Sequence, residues 1–244
     1  MEEETERAGI PKRNNEIDPI AVMTRTAKRG TLYHFTRASN LQAIAFGDEL
    51  LASVSLQPQP QTNGERRTSP VRLMHGGHSA TLNAHLRIPE SVMDDSITQE
   101  QFRLFLDSHV FFWPTLRDAL VMLDTYRRRE PDEAFALLAF DAAPLLTAHA
   151  EKVKLCKYDS GSAPRYPKAC SYKKSLAIFL PLNQFGKVKE SIVPTRTSEI
   201  KEVLIERRVS DLTRYLQVVY ADTADNVPTR WLSYLQPLSA LRPS

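Results

Sequence analysis

Three short segments carry side chains of the kinds that do chemistry. In the first, Tyr33-His34-Phe35-Thr36 is followed closely by Asn40. On a strand, His34 and Thr36 point to the same face, and an Asn that opens the next helix stands beside them, so three polar groups converge. Taken alone, a single histidine on a strand reads equally as a satisfied core residue. The second segment is Glu65-Arg66-Arg67. A guanidinium there can grip a phosphate through two N–H groups, or serve as plain surface charge. The third is Glu202 within IKEVLIERRV. If Val203 and Ile205 face the core, then Glu202, Leu204 and Glu206 share the other face. That arrangement suits a carboxylate aimed into a cleft to hold a hydroxyl or take a proton, and it suits a half-exposed strand just as well.

Weaker signals surround these. His75 and His78 flank Gly76-Gly77, but two histidines without a nearby third ligand do not make a zinc site, and no metal is expected. Ser160, Gly161 and Arg165 in YDSGSAPRYP read as a turn, or else as a phosphate-binding nest. The sequence has no GxGxxG, P-loop, HExxH or GxSxG, which removes the common dinucleotide, nucleotide, metalloprotease and hydrolase signatures.

The elements that position these residues follow from periodicity. TLYHF from Thr31 reads as a strand. SNLQAIAFGDELL reads as a helix with Ser39 and Gln42 as a capping box and Gly47 as its stop. From Ser55 to Gly77, prolines, Asn63 and glycines read as a long irregular loop. Thr98 and Gln101 cap a helix that ends near His109, VFFW is a buried strand closed by Pro114, and Leu116 to Arg129 is a helix. Further strands are expected at Phe135 to Phe140, Lys152 to Tyr158, Leu176 to Leu182, Ile200 to Val209 and Tyr215 to Tyr220. This is a mixed α+β pattern without an internal repeat. Residues 1–30 read as a flexible or loosely docked arm with order beginning near Thr31, residues 31–222 as the domain, and residues 223–244 as a C-terminal extension packed on it.

The order Y-H-x-T-x3-N-L-x2-I (Tyr33, His34, Thr36, Asn40, Leu41, Ile44), then ERR, then V-x-F-aromatic, and finally K-E-V-L-I resembles the DarT-type ADP-ribosyltransferases and their relatives, from about Thr31 to Val209. The resemblance implies an ADP-ribosyltransferase-like split central β-sheet flanked by helices, and NAD as co-substrate. It implies that His34 and Thr36 hold the adenosine ribose and nicotinamide side of NAD, with Asn40 ordering the pocket and Arg67 against the diphosphate. Trp113 stands where the family has a tyrosine that stacks on nicotinamide, and Glu202 matches the catalytic glutamate. It further implies an acceptor base in single-stranded DNA or RNA, selected by the loop Asn183 to Ser198 with Lys187, Lys189 and Arg196. The biological setting would be a toxin restrained by an antitoxin, alone or with a chaperone, in phage defence.

Composition is compatible with that reading. The 244 residues include 42% hydrophobic and 25% charged positions, enough for a buried core in one domain. The formal net charge of +3 is mild, yet between Lys152 and Arg208 there are 13 Lys/Arg against 5 Asp/Glu, a strip able to meet a polyanion. The same strip leaves open a protein that binds nucleic acid without catalysis. A protein-directed transferase and an NAD glycohydrolase stay open beside it, whereas His34, Thr36, Arg67 and Glu202 together argue against a degenerate partner-binding subunit. No apolar run is long enough for a membrane span, and the acidic start MEEETERAG lacks the features of a secretion signal, so a cytoplasmic location is expected with Cys156 and Cys170 as reduced thiols.

Overall fold

Local chemistry sets the elements in turn along the computed structural model, which describes residues 18–57, 64–164, 166 and 170–242. Asp18 accepts from the Ile20 N–H at 2.9 Å and Pro19 occupies the first helical position, so α1 (Pro19–Thr24) starts there. β1 (Thr31–Arg37) passes through a 3-10 turn at Ala38–Asn40 into α2 (Leu41–Gly47), then β2 (Leu50–Leu51) and the single turn α3 (Ser53–Leu56). β3 (Val71–His75) and β4 (His78–Leu82) form a hairpin joined by Gly76 and Gly77, whose φ angles are 55° and 81°. A two-residue hairpin link of this kind needs both residues in the left-handed region, which glycine enters without a Cβ penalty.

α4 (Gln99–Asp107) carries the expected reciprocal box between Thr98 and Gln101. β5 (His109–Phe112) and α5 (Leu116–Arg129) follow, with Thr115 capping α5 and Arg127, Arg128 and Arg129 at its negative end. After β6 (Phe135–Asp141) and α6 (Ala142–Ala148) come β7 (Val153–Cys156), β8 (Phe179–Pro181), β9 (Glu202–Glu206) and β10 (Arg208–Val209). The chain closes with α7 (Leu212–Tyr215), β11 (Leu216–Ala221) and β12 (Leu235–Gln236).

Two four-stranded sheets form the body, ordered β1-β6-β11-β12 and β5-β9-β7-β8. Along β6, Ala136, Leu138 and Phe140 join the main core while Phe135 and Leu137 join a second cluster. Along β9, Val203 and Ile205 join the main core while Leu204 joins a third. The two-residue period therefore layers the molecule. The main core lies between the sheets, α5 covers the outer face of the first through Leu123 and Tyr126, and α4 covers the outer face of the second through Phe102 and Leu106. Tyr33 and Trp113 exchange backbone hydrogen bonds of 2.9 and 2.8 Å, which joins the β1 edge of one sheet to the end of β5 in the other. The α+β class with a split central sheet is thus what the chain adopts.

Several local expectations need correction. Order reaches back before Thr31, because α1 buries Met23 in the main core. Residues 1–17, the acidic part of the expected arm, lie outside the described residues. Ser39 and Gln42 form no capping box, since a 3-10 turn occupies the entry to α2. That helix is ended by Asp48 rather than Gly47. Asp48 takes the left-handed conformation (φ 52°), and its carboxylate accepts from the Thr213 N–H at 3.0 Å and hydroxyl at 2.6 Å, which holds it there.

The stretch from Ser55 to Gly77 is not irregular throughout. The glycines that broke the pattern are the hairpin link, and residues 58–63 lie outside the described residues. IKEVLIERRV is divided at Arg207, whose φ of 64° separates β9 from β10. In the C-terminal stretch β12 pairs in parallel with β11, and Trp231 is fully buried in the main core. Trp231→Ala is expected to cost about 3–5 kcal/mol of unfolding free energy, read by urea denaturation. A loss under about 1 kcal/mol would show that this segment is not part of the core.

Candidate active site

Where the two sheets meet, β1, α2, β4 and β5 enclose a cavity of about 270 Å³. His34, Thr36, Asn40, Arg67, Trp113 and Glu202 all line it. Lys187, Lys189 and Arg196 do not. Both lysines are exposed, and the Arg196 side chain is 78% exposed beside the 3-10 turn Thr197–Glu199.

His34 and Thr36 share a face of β1, as the alternation requires. The His34 Nδ1 lies 2.8 Å from the Phe111 carbonyl, which can only accept, so Nδ1 carries the proton and Nε2 is left as an acceptor. Burial pushes the ring down to about 4, against the Phe111 hydrogen bond, and keeps it neutral. The Asn40 Oδ1 accepts from the Thr81 N–H at 2.7 Å and its Nδ2 donates to the Thr81 carbonyl at 3.0 Å, a two-point clasp that ties β4 to the start of α2. Nδ2 also donates to the Thr36 hydroxyl at 3.3 Å. Asn40 therefore shapes the cavity wall. Trp113 is 7% exposed, held by its backbone exchange with Tyr33.

Arg67 is placed by what precedes it. Gly64 packs so close to α4 that a Cβ there would lie 2.0 Å from the Glu100 carbonyl oxygen, and its own carbonyl accepts from the Arg103 Nε at 2.6 Å. The Arg67 guanidinium then forms a fork onto Asp107, at 2.9 Å from each terminal nitrogen, and its Nε donates to the Asn83 carbonyl at 2.8 Å. One N–H on each terminal nitrogen remains. His85 completes the group. Its Nδ1 accepts from the Arg67 N–H at 2.9 Å, so the proton sits on Nε2, which donates to Asp107 at 3.0 Å. Burial alone would raise the Asp107 carboxyl, but the hydrogen bonds from His85 and Arg67, with the Arg67 charge, hold it down at about 2. Asn83 also accepts from the Nε of the buried Arg37 at 2.8 Å, and Arg37 is paired with Glu130 and Glu133.

Glu202 is 2% exposed, at the start of β9 on the face opposite Val203. That face is not solvent, because α4 and the segment after β7 cover it. The Ser160 hydroxyl donates to Glu202 Oε2 at 2.6 Å, and its N–H lies 3.1 and 3.2 Å from the two carboxylate oxygens. Behind it the Lys174 Nζ donates to the Asp159 and Ser160 carbonyls at 2.8 and 2.7 Å. Burial pushes the Glu202 carboxyl up to about 8, Asp159 adds to the rise, and the Ser160 donors and Lys174 oppose it. Among the described residues no group of three or more His, Cys, Asp or Glu side chains could hold a metal ion, and no helix is long and apolar enough to cross a membrane.

Residues 30–216 match the model of a family of unknown function, DUF7002. The chain belongs to that family. No protein of curated function matches it. Among solved structures, this DUF7002 protein is similar to Thermus sp. 2.9 DarT in complex with NAD+, at 13% identity and a TM-score of 0.36 over 82% of this chain and 85% of that one. It is similar to the same protein in complex with ADP-ribosylated ssDNA at 11% identity and a TM-score of 0.38, over 80% and 82% of the two chains. With carba-NAD+ the values are 12% and 0.38, over 82% and 86%.

Several residues of this site carry no sequence signal of their role. Asp107 and His85 belong to no motif, and Lys174 to none that its burial would suggest. Ser160 stands in a segment that reads as a turn, and the turn it forms delivers two donors to Glu202; Arg165 lies outside the described residues. His109 lines the same cavity with its Nε2 buried and without a hydrogen-bond partner among the described residues.

Proposed function

We propose that this protein is an NAD-dependent mono-ADP-ribosyltransferase that modifies a nucleobase of single-stranded DNA or RNA, in the setting of a toxin and its antitoxin. One observation carries the reading. The six residues to which the resemblance gives donor binding and transfer, scattered from β1 to β9, line one cavity.

The donor set suits NAD. The His34 Nε2 can accept from a ribose hydroxyl, and the Trp113 indole offers an aromatic edge to the nicotinamide ring. Arg67 presents its remaining N–H groups to the diphosphate from a fixed fork. Asn40 holds the wall these groups stand on. No metal is needed.

Transfer breaks the bond between the nicotinamide nitrogen and ribose C1′, with the electron pair leaving on nicotinamide. The ribose gains cationic character, which an adjacent carboxylate stabilises. The acceptor nitrogen bonds to C1′ and gives up its proton, and Glu202 as the anion is suited to take it. In the basic strip from Lys152 to Arg208, Lys174 is buried and takes no part, but exposed basic side chains of the same stretch, Lys187, Lys189 and Arg196 among them, favour a polyanionic acceptor over a protein one.

A general base must be ionised before it acts, and the Glu202 carboxyl sits at about 8. The kcat/KM for nicotinamide release should therefore rise with pH through about 8, with the rate at pH 6 roughly a hundredfold below the plateau. Nicotinamide released from NAD by the purified protein with single-stranded DNA or RNA supplied as acceptor, followed from pH 5.5 to 9.5, checks this. A profile flat across that range would remove Glu202 from the role of base.

A further inference from the structure

Lys174 is fully buried. Its backbone is fixed by hydrogen bonds with Val92 (2.8 Å) and Asp94 (3.0 Å), and its ammonium lies 5.9 Å from the Phe102 ring centroid of α4. A buried ammonium is costly, and two neutral carbonyls do not offset its charge. The charges that do are the carboxylate of Asp159 and, in its ionised form, that of Glu202. Glu202 and Asp159 are the acidic side chains acting on it, and the Asp159 Oδ1 is itself buried without a hydrogen-bond partner among the described residues.

The ammonium does not reach Glu202 by a direct hydrogen bond. It grips the carbonyls of Asp159 and Ser160, and Ser160, itself fully buried, turns its N–H and hydroxyl onto the Glu202 carboxylate. A well-packed apolar side chain in place of Lys174 would serve stability better. What it would not do is fix the carbonyls that aim Ser160.

We propose that Lys174 is a positioning residue that, through the Asp159 and Ser160 carbonyls, clamps the two Ser160 donors onto Glu202 and so fixes the orientation and charge state of that carboxylate. This rests on the transferase reading for its link to activity, but not for its link to Glu202. The ionisable groups acting on Glu202 are Asp159 and Lys174 from the segment after β7 and Cys156 from β7 itself.

The test uses the full chain with Lys174→Met, Ser160→Ala and Ser160→Thr. The first readout needs no activity: the stability difference between Glu202 and Glu202→Gln forms, measured against pH in each background, reports where Glu202 ionises. Removing the clamp should move that window upward by about one pH unit in Lys174→Met and Ser160→Ala, while Ser160→Thr, which keeps the hydroxyl, should leave it in place.

The second readout is nicotinamide release, where kcat should fall about tenfold or more with KM for NAD within about threefold. An unmoved window and an unchanged kcat in Lys174→Met would overturn the proposal. Should that variant fail to fold, Ser160→Ala decides by the same two readouts. A shifted window in a protein that never consumes NAD would uphold the clamp and overturn the transferase reading instead.

Discussion

Glu202→Gln is expected to abolish ADP-ribosyl transfer, by ~10³-fold or more, while making the folded protein more stable above pH 8. The loss follows from chemistry. Gln keeps the shape and can still accept from Ser160, but it brings no negative charge to the developing ribose cation and no base to the acceptor nitrogen. The gain follows from linkage. The Glu202 carboxyl titrates at about 8 in the fold against 4.5 ordinarily, so the folded state holds its proton more tightly than the unfolded chain. Stability tied to that proton is complete below about 4.5 and is lost as pH rises through about 8. Gln does not titrate and loses nothing over the same window. Thermal or urea unfolding at pH 5 and at pH 8.5 should show the variant's advantage growing with pH, by about 4 kcal/mol. An advantage that shrinks as pH rises would contradict the buried, proton-holding carboxyl.

Asp107→Ala is expected to cost about 3–5 kcal/mol, because it leaves the Arg67 guanidinium buried without its carboxylate and the His85 Nε2–H without an acceptor. Replacing both ends of the fork at once, as Arg67→Met with Asp107→Leu, should cost less than Asp107→Ala alone, since no uncompensated charge remains. The same double variant should weaken NAD binding by about tenfold or more, because the diphosphate loses its fixed cation. Denaturation and calorimetric titration with NAD separate the two effects. The Asp107 carboxyl is held at about 2, below its ordinary 3.8, so the stability it supplies is present above about 4 and is lost as pH falls toward 2. If Asp107→Ala were as stable as the wild type, Arg67 would not be held by this fork.

Elements whose signals are local were readable from the sequence. The reciprocal pair Thr98 and Gln101 marks the start of α4, and the apolar spacing from Leu116 to Arg129 spans α5 as found. The β3–β4 hairpin was hidden because Gly76-Gly77 reads as a break until the flanking strands are known to pair. Asp48 ends α2 only because Thr213 and Arg230, far along the chain, satisfy its carboxylate.

The site divides in the same way. His34, Thr36 and Asn40 lie within one short segment whose order can be read directly. The partners that tune the reacting groups cannot, since Ser160 is 42 residues from Glu202 and Asp107 is 40 from Arg67. Lysine is among the least buried residue types, so nothing in its sequence context singles out Lys174 as a core group.

The most direct measurement offers NAD labelled in its adenylate half, with single-stranded DNA, RNA and bulk protein supplied separately, to the purified protein and to Glu202→Gln. Label on DNA or RNA, absent from protein and lost in the variant, is the predicted result. Label on protein alone, or no label and no NAD consumed by a folded preparation, would contradict the account.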